Sequence, residues 1–262
     1  MLIGFGKLRL DWLRADLATW TKLAQDAKAK ALAEKSIATA DRGDRPATFV
    51  NFTAKNAMSA RYVLERADWA GAAALPFTPS QYPQPDSLIH FTRGLGMARA
   101  GDLAGARAEI EAIKALRAAL EKSNQSYWAD RSEEQMLAIS AWIAFKEGSR
   151  DQALKFMRAA ADGEDGSIKH VAMENRLYPM RELYGELLLE MGEPAAAMRE
   201  FETALEQTPN RYRTLLGIAR AANAAGDGQK ASEYYAKVVN LAKNADTERP
   251  ETREAKAFLA GK

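Results

Sequence analysis

The two histidines, His90 and His170, are the side chains of this sequence best suited to binding a metal, because the chain contains no cysteine. They stand far apart, and neither belongs to an HxxxH or HExxH pair, in which both side chains would share one face of a helix. A zinc site needs three or four such ligands. The pattern therefore predicts two structural or surface histidines and no metal site.

Three glycine-containing stretches come close to a ligand-binding motif without completing it. The segment GLGMARAG at 94–101 lies in a predicted helix, whereas the glycine loop of a dinucleotide site follows a strand, and GFGKLR at 4–9 lacks the third glycine. The segment DGEDG at 162–166 has Gly166 where a calcium loop needs an acidic ligand. No nucleophile-elbow sequence marks a catalytic serine. We therefore predict no catalytic residue, no bound cofactor and no enzymatic activity.

The composition is that of one large domain or two small ones with enough apolar residues for a core: 262 residues, 47% of them hydrophobic. Lysine and arginine number 37 against 35 aspartate and glutamate residues, a net charge of +2. This balance argues against a nucleic-acid or an anionic membrane partner. The opening MLIGFGKLRL lacks the features of a signal peptide, and no apolar run reaches the roughly 18 residues of a membrane span. We expect a cytoplasmic protein.

One pattern of residue sizes occurs twice, at a spacing of 34 residues. It starts within LYGELLLEMGEPAAAMREFETALEQTPN, which runs from Leu183 to Asn210. The first copy comprises Gly185, Gly192, Ala197, Phe201, Ala204 and Pro209, and the second comprises Ala219, Gly226, Ala231, Tyr235 and Val238. Small residues let two helices approach closely, glycine ends the first helix, and proline ends the second. The pattern predicts pairs of antiparallel amphipathic helices that stack on their neighbours.

This spacing resembles the tetratricopeptide repeat. The resemblance implies an all-α fold, a right-handed α-solenoid of stacked helix hairpins that forms a single domain over 1–262. Weaker copies of the pattern lie upstream, for example around Gly94 and Ala141. We predict six hairpins and a C-terminal capping helix, with approximate ranges of 10–43, 53–84, 87–120, 134–167, 178–211, 212–245 and 250–260. Over about 50–260 the chain is also similar to a widespread group of bacterial tetratricopeptide-repeat proteins of uncharacterised function.

Two intervals between the repeats are longer than the others. The spacing from Gly94 to Ala141 is 47 residues, and the spacing from Ala141 to Gly185 is 44, which places additional residues at 118–133 and 161–177. Insertions in a solenoid often carry function. The simpler interpretation is a lengthened helix followed by a surface loop. Both interpretations stay open at this point.

The resemblance also implies a ligand groove, which in this family is concave and lined mainly by first helices. Transferred by position within each repeat, the groove residues are Leu88, Phe91, Leu95, Trp142, Phe145, Glu182, Glu186, Arg213, Arg220 and Asn223. Such a groove would be apolar in its middle and charged toward its C-terminal end, with aromatic anchors and a polar rim like those of peptide-binding surfaces. The alternative for Trp142 and Phe145 is a core position under the insertion around Tyr127 and Trp128.

The leading functional hypothesis is a non-enzymatic scaffold that binds a peptide, or a segment of a partner protein, in this groove. One alternative is a structural module that forms homo-oligomers through its apolar N-terminal repeat. Another is the regulatory part of an enzyme with an unrecognised acidic site. The three hypotheses share one fold and differ in the surface that carries the function.

Overall fold

The computed structural model describes residues 24–40, 48–167 and 177–261, and these residues form α-helices without any strand. In chain order the helices are α1 (Asp26–Ala40), α2 (Phe49–Glu65), α3 (Trp69–Ala73), α4 (Pro83–Ala100), α5 (Leu103–Lys122), α6 (Ser126–Lys146), α7 (Arg150–Asp165), α8 (Met180–Glu190), α9 (Pro194–Gln207), α10 (Tyr212–Ala224), α11 (Gly228–Leu241) and α12 (Pro250–Ala260), with a 3₁₀-helix at Ala242–Asn244. Consecutive helices pack against each other from α2 to α7 and again from α9 to α12. The predicted all-α fold of helical repeats is therefore confirmed.

A residue in the left-handed region ends the first helix of each of five pairs. Gly101, Gly148, Gly192 and Gly226 have φ values of +95°, +79°, +77° and +80° and follow α4, α6, α8 and α10. Glycine adopts this conformation without the steric cost that a Cβ atom brings. Ala67, with φ of +51°, takes the same place after α2. The turn that closes each hairpin is thus built from the residues that the repeat pattern marks.

Aspartate caps the second helix in three of the pairs. The side chains of Asp68, Asp102 and Asp227 precede α3, α5 and α11, and each accepts a hydrogen bond from the backbone N–H three residues on, at 2.8–2.9 Å. The first N–H groups of a helix have no partner inside it, so each cap satisfies one of them. The chain can therefore begin a new helix only a few residues after the previous one ends.

Small residues stand where the helices approach most closely. A Cβ atom on Gly185 would lie 2.8 Å from the Phe201 ring, and one on Gly217 would lie 2.5 Å from Cζ of the same ring. Ala197, on the helix that carries Phe201, has no exposed surface. One aromatic ring therefore packs between two glycines, which is why side chains larger than these do not fit at the small positions.

The chain divides into two compact units. Of the described residues, unit 1 contains 32–40, 48–167 and 177–180, and unit 2 contains 24–31 and 181–261. The single domain and its six hairpin ranges stay predictions, and part of the range 10–43 lies outside the described residues. Among the helices that the structure describes, none combines the length and the apolar character needed to cross a membrane.

Unit 2 contains a buried ion pair that holds the start of α1. Arg249 Nε donates to Asp26 Oδ2 at 2.8 Å, and its Nη2 donates to Oδ1 at 2.5 Å. The carboxylate of Asp246 accepts hydrogen bonds from the backbone N–H groups of Ala27 and Lys28, at 2.9 Å each. These are N–H groups that a helix cannot satisfy internally. The segment before α12 therefore caps α1 within this unit.

Candidate functional site

A cavity of about 70 Å³ lies in unit 1, between helices of successive pairs. The N-terminal halves of α2, α4 and α6 line it, together with the end of α7 and the residues at the start of α8. The helices α2, α4 and α6 are the first helices of three consecutive pairs. This is the kind of surface on which the family resemblance places a ligand.

The lengthened helices contribute much of the cavity wall. The additional residues at 118–133 are mainly helical, because α5 continues to Lys122 and α6 begins at Ser126. The short connection turns at Asn124, which has φ of +56°. With 21 residues, α6 is eight residues longer than the 13-residue α10, or about 12 Å at about 1.5 Å per residue. The predicted helix lengthening is therefore observed, and the first turns of α6 face the cavity.

Aromatic side chains form the apolar part of the wall. Tyr127 and Trp128 are half-buried and meet edge to face, with ring centroids 5.1 Å apart. Phe49 of α2 is also half-buried and lines the same cavity, whereas Phe91 and Tyr178 are each 1% exposed. Half-buried rings keep surface that a ligand can cover, and aromatic rings supply large contact areas. This part of the cavity therefore suits an apolar or aromatic group.

The charged side chains of the cavity are bound by the protein's own groups. Arg131 Nη2 donates to Glu134 Oε1 at 2.5 Å, and Arg131 Nη1 donates to Ser167 Oγ at 2.6 Å. Glu164 Oε2 accepts a hydrogen bond from the backbone N–H of Met180 at 2.7 Å. The two glutamates are each 4% exposed. Buried charges are costly unless they are paired and hydrogen-bonded, and these contacts offset that cost.

Two amide side chains in the cavity keep hydrogen-bonding capacity. Gln135, 8% exposed, accepts a hydrogen bond through Oε1 from Ser87 Oγ at 2.5 Å, and its Nε2 has no partner among the described residues. Gln84 donates through Nε2 to Gln125, while its Oε1 is buried without a hydrogen bond from any described group. Buried polar atoms are satisfied in most proteins. Gln84 Oε1 has almost no accessible surface, so a ligand in the cavity would reach it only if the side chain moved.

The predicted groove residues of unit 1 fall into two sets. Leu88 and Phe91 line the cavity, although they are only 6% and 1% exposed. Leu95 and Trp142 are 0% exposed and do not line it, and Phe145 is half-buried beside Trp142, with ring centroids 5.9 Å apart. Only the first set is placed where a ligand in the cavity would contact it.

Trp142 packs against a cation rather than under the insertion. The guanidinium of Arg99 lies 3.9 Å from the centroid of the Trp142 ring and 4.3 Å from the centroid of the Trp69 ring. Trp142 stands 14 residues after Trp128 on α6, which is about 21 Å along a helix. Trp142 is thus fully buried, as the core alternative expected, but its ring packs against Arg99 and not beside Tyr127 and Trp128.

The predicted groove residues of α8 and α10 bind one another. Glu182 is 0% exposed and accepts hydrogen bonds from Arg211 Nε at 3.0 Å and Nη2 at 2.9 Å. Arg213 donates to Glu186, and its own side chain is 11% exposed. These three predicted residues thus have most of their surface and hydrogen-bonding capacity engaged within unit 2.

The last two predicted residues lie toward the end of α10. Arg220 Nε donates to Glu254 Oε1 of α12 at 2.9 Å, whereas Asn223 is exposed. Burial raises the pKa of the Glu254 carboxyl. The hydrogen bonds and charge of Arg220 lower this pKa, as does a hydrogen bond from Tyr235, and together they outweigh burial, so the pKa lies below its usual value. The Arg220–Glu254 pair therefore links α10 to the C-terminal helix.

The cavity includes residues that the repeat pattern did not select, among them Phe49, Tyr127, Trp128, Arg131 and Gln135. The signal that pointed toward three of them was the irregular repeat spacing, which places Tyr127, Trp128 and Arg131 in the insertion at 118–133. Gln135 follows on the same helix. Phe49 carried no signal, because it precedes the predicted hairpin 53–84.

Comparison with known families supports the repeat interpretation. Residues 188–259 match the family model of the tetratricopeptide repeat. The matched range ends within α12 and includes the pair α10–α11. No curated protein sequence matches the chain.

Proposed function

We propose that this tetratricopeptide-repeat protein binds a segment of a partner protein in the cavity of unit 1. Repeats of this family generally mediate protein–protein interactions and are typically non-enzymatic scaffolds. The proposal adds the place of binding and assigns the chain no catalytic step of its own. The observation that carries it is the cavity between α2, α4 and α6, with half-buried aromatic rings in its wall.

The position of the cavity supports a polypeptide ligand. It extends across the first helices of three consecutive pairs, so a chain lying along it would contact each pair in turn. Extended or helical segments commonly bind in grooves of this kind, where a few large side chains enter pockets. The cavity would accommodate one such side chain, and the surface around it would contact the rest of the segment.

Tyr127 and Trp128 are the best anchors on the protein side. Both are half-buried, and both lie at the first turn of α6, where Arg131 lies over the Tyr127 ring with a distance of 5.2 Å to its centroid. Aromatic and arginine side chains dominate the binding free energy of protein interfaces when a partner removes them from water. The Arg131 contacts hold the Tyr127 ring in place before the partner arrives, which lowers the entropic cost of binding.

The charged residues of α8 and of the start of α10, with Arg211 just before it, support a different role. Glu182 and Arg211 are buried together, and Glu186 pairs with Arg213. A ligand that bound one of these charged side chains would have to break its existing ion pair, and breaking a buried pair is costly. We therefore propose that these residues stabilise the stacking of repeats in unit 2 and that the partner binds in unit 1.

A selected peptide tests the site. A phage-displayed library of random 12-residue peptides is screened on the full-length protein, and the affinity of a selected synthetic peptide is measured by fluorescence polarisation. Trp128→Ala should weaken binding by about 1–4 kcal/mol, as truncation of a central aromatic anchor does. The matched control is Trp69→Ala, because Trp69 is also half-buried in unit 1 but does not line the cavity.

Melting temperatures of both variants separate binding from folding. Trp128→Ala should lose affinity while its melting temperature stays close to that of Trp69→Ala. Unchanged affinity in a folded Trp128→Ala variant would place the binding site elsewhere. Loss of affinity in both variants would show that the peptide responds to the stability of unit 1 and not to this cavity.

A further inference from the structure

The polar groups that hold the start of α1 in unit 2 define a kind of ligand as well as a contact within the chain. We infer that these groups form a second protein-binding site, which recognises the first turn of a helix that begins with aspartate, and that α1 fills this site as an intramolecular ligand. The inference is independent of the cavity in unit 1. Three observations carry it: the geometry of the contact, the fixed position of its arginine, and its exposed edge.

Three donors of the segment before α12 bind the carboxylate of Asp26, the first residue of α1. Arg249 donates through Nε to Oδ2 at 2.8 Å and through Nη2 to Oδ1 at 2.5 Å, and Thr247 Oγ1 donates to Oδ2 at 3.0 Å. Asp26 and Arg249 are 1% and 4% exposed. Two parallel N–H bonds from one guanidinium to a carboxylate are strong and geometrically selective. The buried part of the site therefore selects a carboxylate at the first position of a helix.

The same segment also binds the backbone that follows the aspartate. The carboxylate of Asp246 accepts hydrogen bonds from the N–H groups of Ala27 and Lys28, at 2.9 Å each. Such first-turn N–H groups have no acceptor within their own helix, and the partial positive charge at a helix start favours an anion beside it. Asp246 thus binds the helix start, while Arg249 binds its first side chain. These two charge contacts of opposite sign together specify the ligand.

The arginine of the site is held by groups that do not belong to α1. The guanidinium of Arg249 lies 4.7 Å from the centroid of the Tyr212 ring, and the Tyr212 hydroxyl is hydrogen-bonded to Thr252 Oγ1 at 2.8 Å. Tyr212 is the first residue of α10 and is 2% exposed, and Thr252 lies on α12. A binding group that is already fixed loses little conformational entropy when its ligand arrives. The site is therefore preorganised by unit 2 for any helix of this chemistry.

The edge of the site is open to solvent, although its centre is buried. Asp246 and Thr247 are exposed, and so are Ala27 and Lys28 on the side of α1. The hydrogen bonds join residues 218 to 223 positions apart in the sequence, so complementary surfaces, and not local chain geometry, hold α1 in place. A ligand tethered to its site has a high effective concentration. A partner helix therefore competes with α1 and can approach along the exposed edge.

A peptide supplied in trans tests the site. The probe is an N-acetylated synthetic peptide with the sequence of residues 24–40 and a C-terminal fluorescein, and fluorescence polarisation measures its affinity for the full-length protein. The natural protein should bind it weakly, because α1 already occupies the site. Full-length Asp26→Ala should bind it at least about tenfold more tightly, because the tethered competitor has lost the carboxylate that Arg249 binds. A peptide carrying Asp26→Asn should show no such gain, since its amide lacks the charge.

The control protein is full-length Asp102→Ala. Asp102 caps α5 in unit 1 by accepting a hydrogen bond from the Gly105 N–H at 2.9 Å, so its loss also weakens a helix start. This variant should bind the natural peptide no more tightly than the natural protein does. A gain equal to that of Asp26→Ala would show that the peptide responds to destabilisation of any helix, and it would overturn the inference.

The remaining outcomes also decide the inference. It is wrong if Asp26→Ala binds the natural peptide no more tightly than the natural protein does, or if Asp26→Ala binds the two peptides equally. If Asp26→Ala does not fold, full-length Asp26→Asn, which keeps the volume of the side chain, is measured against the same criteria. The selected 12-residue peptide tests the unit 1 cavity separately, so either proposal can fail while the other stands.

Discussion

In unit 2 the polar residues of the first helices bind one another, whereas in unit 1 the first turns of α4 and α6 border a cavity. The helices α8 and α10 have 11 and 13 residues, and α4 and α6 have 18 and 21. In unit 2, Glu182 of α8 pairs with Arg211, the residue before α10, and Glu186 pairs with Arg213. In the long helices, the added turns bring Tyr127 and Trp128 to a cavity wall. The lengthened start of α6 thus supplies residues that border the cavity of unit 1.

The comparison also separates two uses of buried charge. Glu182 of unit 2 is held by the two nitrogens of one arginine and contributes to the contact between neighbouring repeats. Glu134 of unit 1 is held by an arginine three residues before it on the same helix, so its ion pair does not join two repeats. We therefore expect charge removal in unit 2 to affect stability, and changes in the unit 1 cavity to affect binding.

The largest expected effect is the loss of the buried arginine in unit 2. Arg211→Ala leaves Glu182, at 0% exposure, buried without its main cation. Breaking a buried pair in this way costs about 3–5 kcal/mol. Urea denaturation should show this loss, while the variant's affinity for the selected peptide, measured below the unfolding transition, should not change.

The control for Arg211→Ala is Arg199→Ala. Arg199 is exposed on α9, so its removal should change stability by no more than about 0.5 kcal/mol. Equal denaturation midpoints for the two variants would contradict the assignment of Arg211 to a structural pair. A selective loss of peptide affinity in Arg211→Ala would move the binding surface into unit 2 and reverse the comparison.

A smaller effect is expected from overpacking a regular repeat. Ala197 has no exposed surface and lies on the helix whose Phe201 packs between Gly185 and Gly217. Ala197→Leu should destabilise the protein by about 1–3 kcal/mol, because additional methylene groups in a close-packed core force its neighbours apart. Ala195→Leu is the matched control, since Ala195 is exposed two residues earlier. If the two variants melt at the same temperature, the small positions of the repeat have been assigned incorrectly.

The fold was predictable because the contacts that define it join residues close together in the sequence and depend on the sizes of those residues. Gly185 and Ala197 are small where two helices meet, and Gly192 turns the chain between them, so one hairpin contains its own signal. The signal then recurs, since each hairpin buries its apolar face on the next. Periodicity detects this arrangement without any knowledge of the partner.

The site was less predictable because its positions depend on helix length. Transferring groove positions from a regular repeat selected Leu88 and Phe91, which line the cavity, but also Trp142, which is fully buried against Arg99. An added turn moves the open surface toward the start of the helix, where Tyr127 and Trp128 lie. The insertion was visible in the sequence, but the side chains that it would bring together were not.

Ion pairs were also beyond sequence reasoning. Glu182 and Arg211 are 29 residues apart, and both charges were visible in the sequence. Their pairing follows from the stacking of one repeat on the next, because this stacking determines which charged side chains come into contact. Of the residues assigned to the charged end of the groove, Glu182 therefore binds Arg211, and Glu186 and Arg213 bind each other.

The smallest expected effect concerns the ion pair between α10 and the C-terminal helix in unit 2. Glu254 accepts hydrogen bonds from Arg220 Nε at 2.9 Å and from the Tyr235 hydroxyl at 2.9 Å. The side chains of Arg220 and Glu254 are 42% and 36% exposed, so solvent screens the pair. Pairs this exposed contribute about 0–1 kcal/mol.

The pH dependence of this pair has a defined sign. Burial raises the pKa of Glu254, but Arg220 and Tyr235 lower it by more than burial raises it. The pKa of Glu254 in the folded protein therefore lies below its usual value. A carboxyl with a depressed folded pKa stabilises the fold above its unfolded pKa of about 4.3, and it loses this contribution as the pH falls through the folded value. Urea denaturation at pH 7 should therefore show Glu254→Gln to be less stable than the natural protein by about 0.5 kcal/mol. The difference should shrink as the pH is lowered below about 4. A difference that stays constant between pH 7 and that range would show that the carboxylate charge adds nothing, and that hydrogen bonding alone joins α12 to α10.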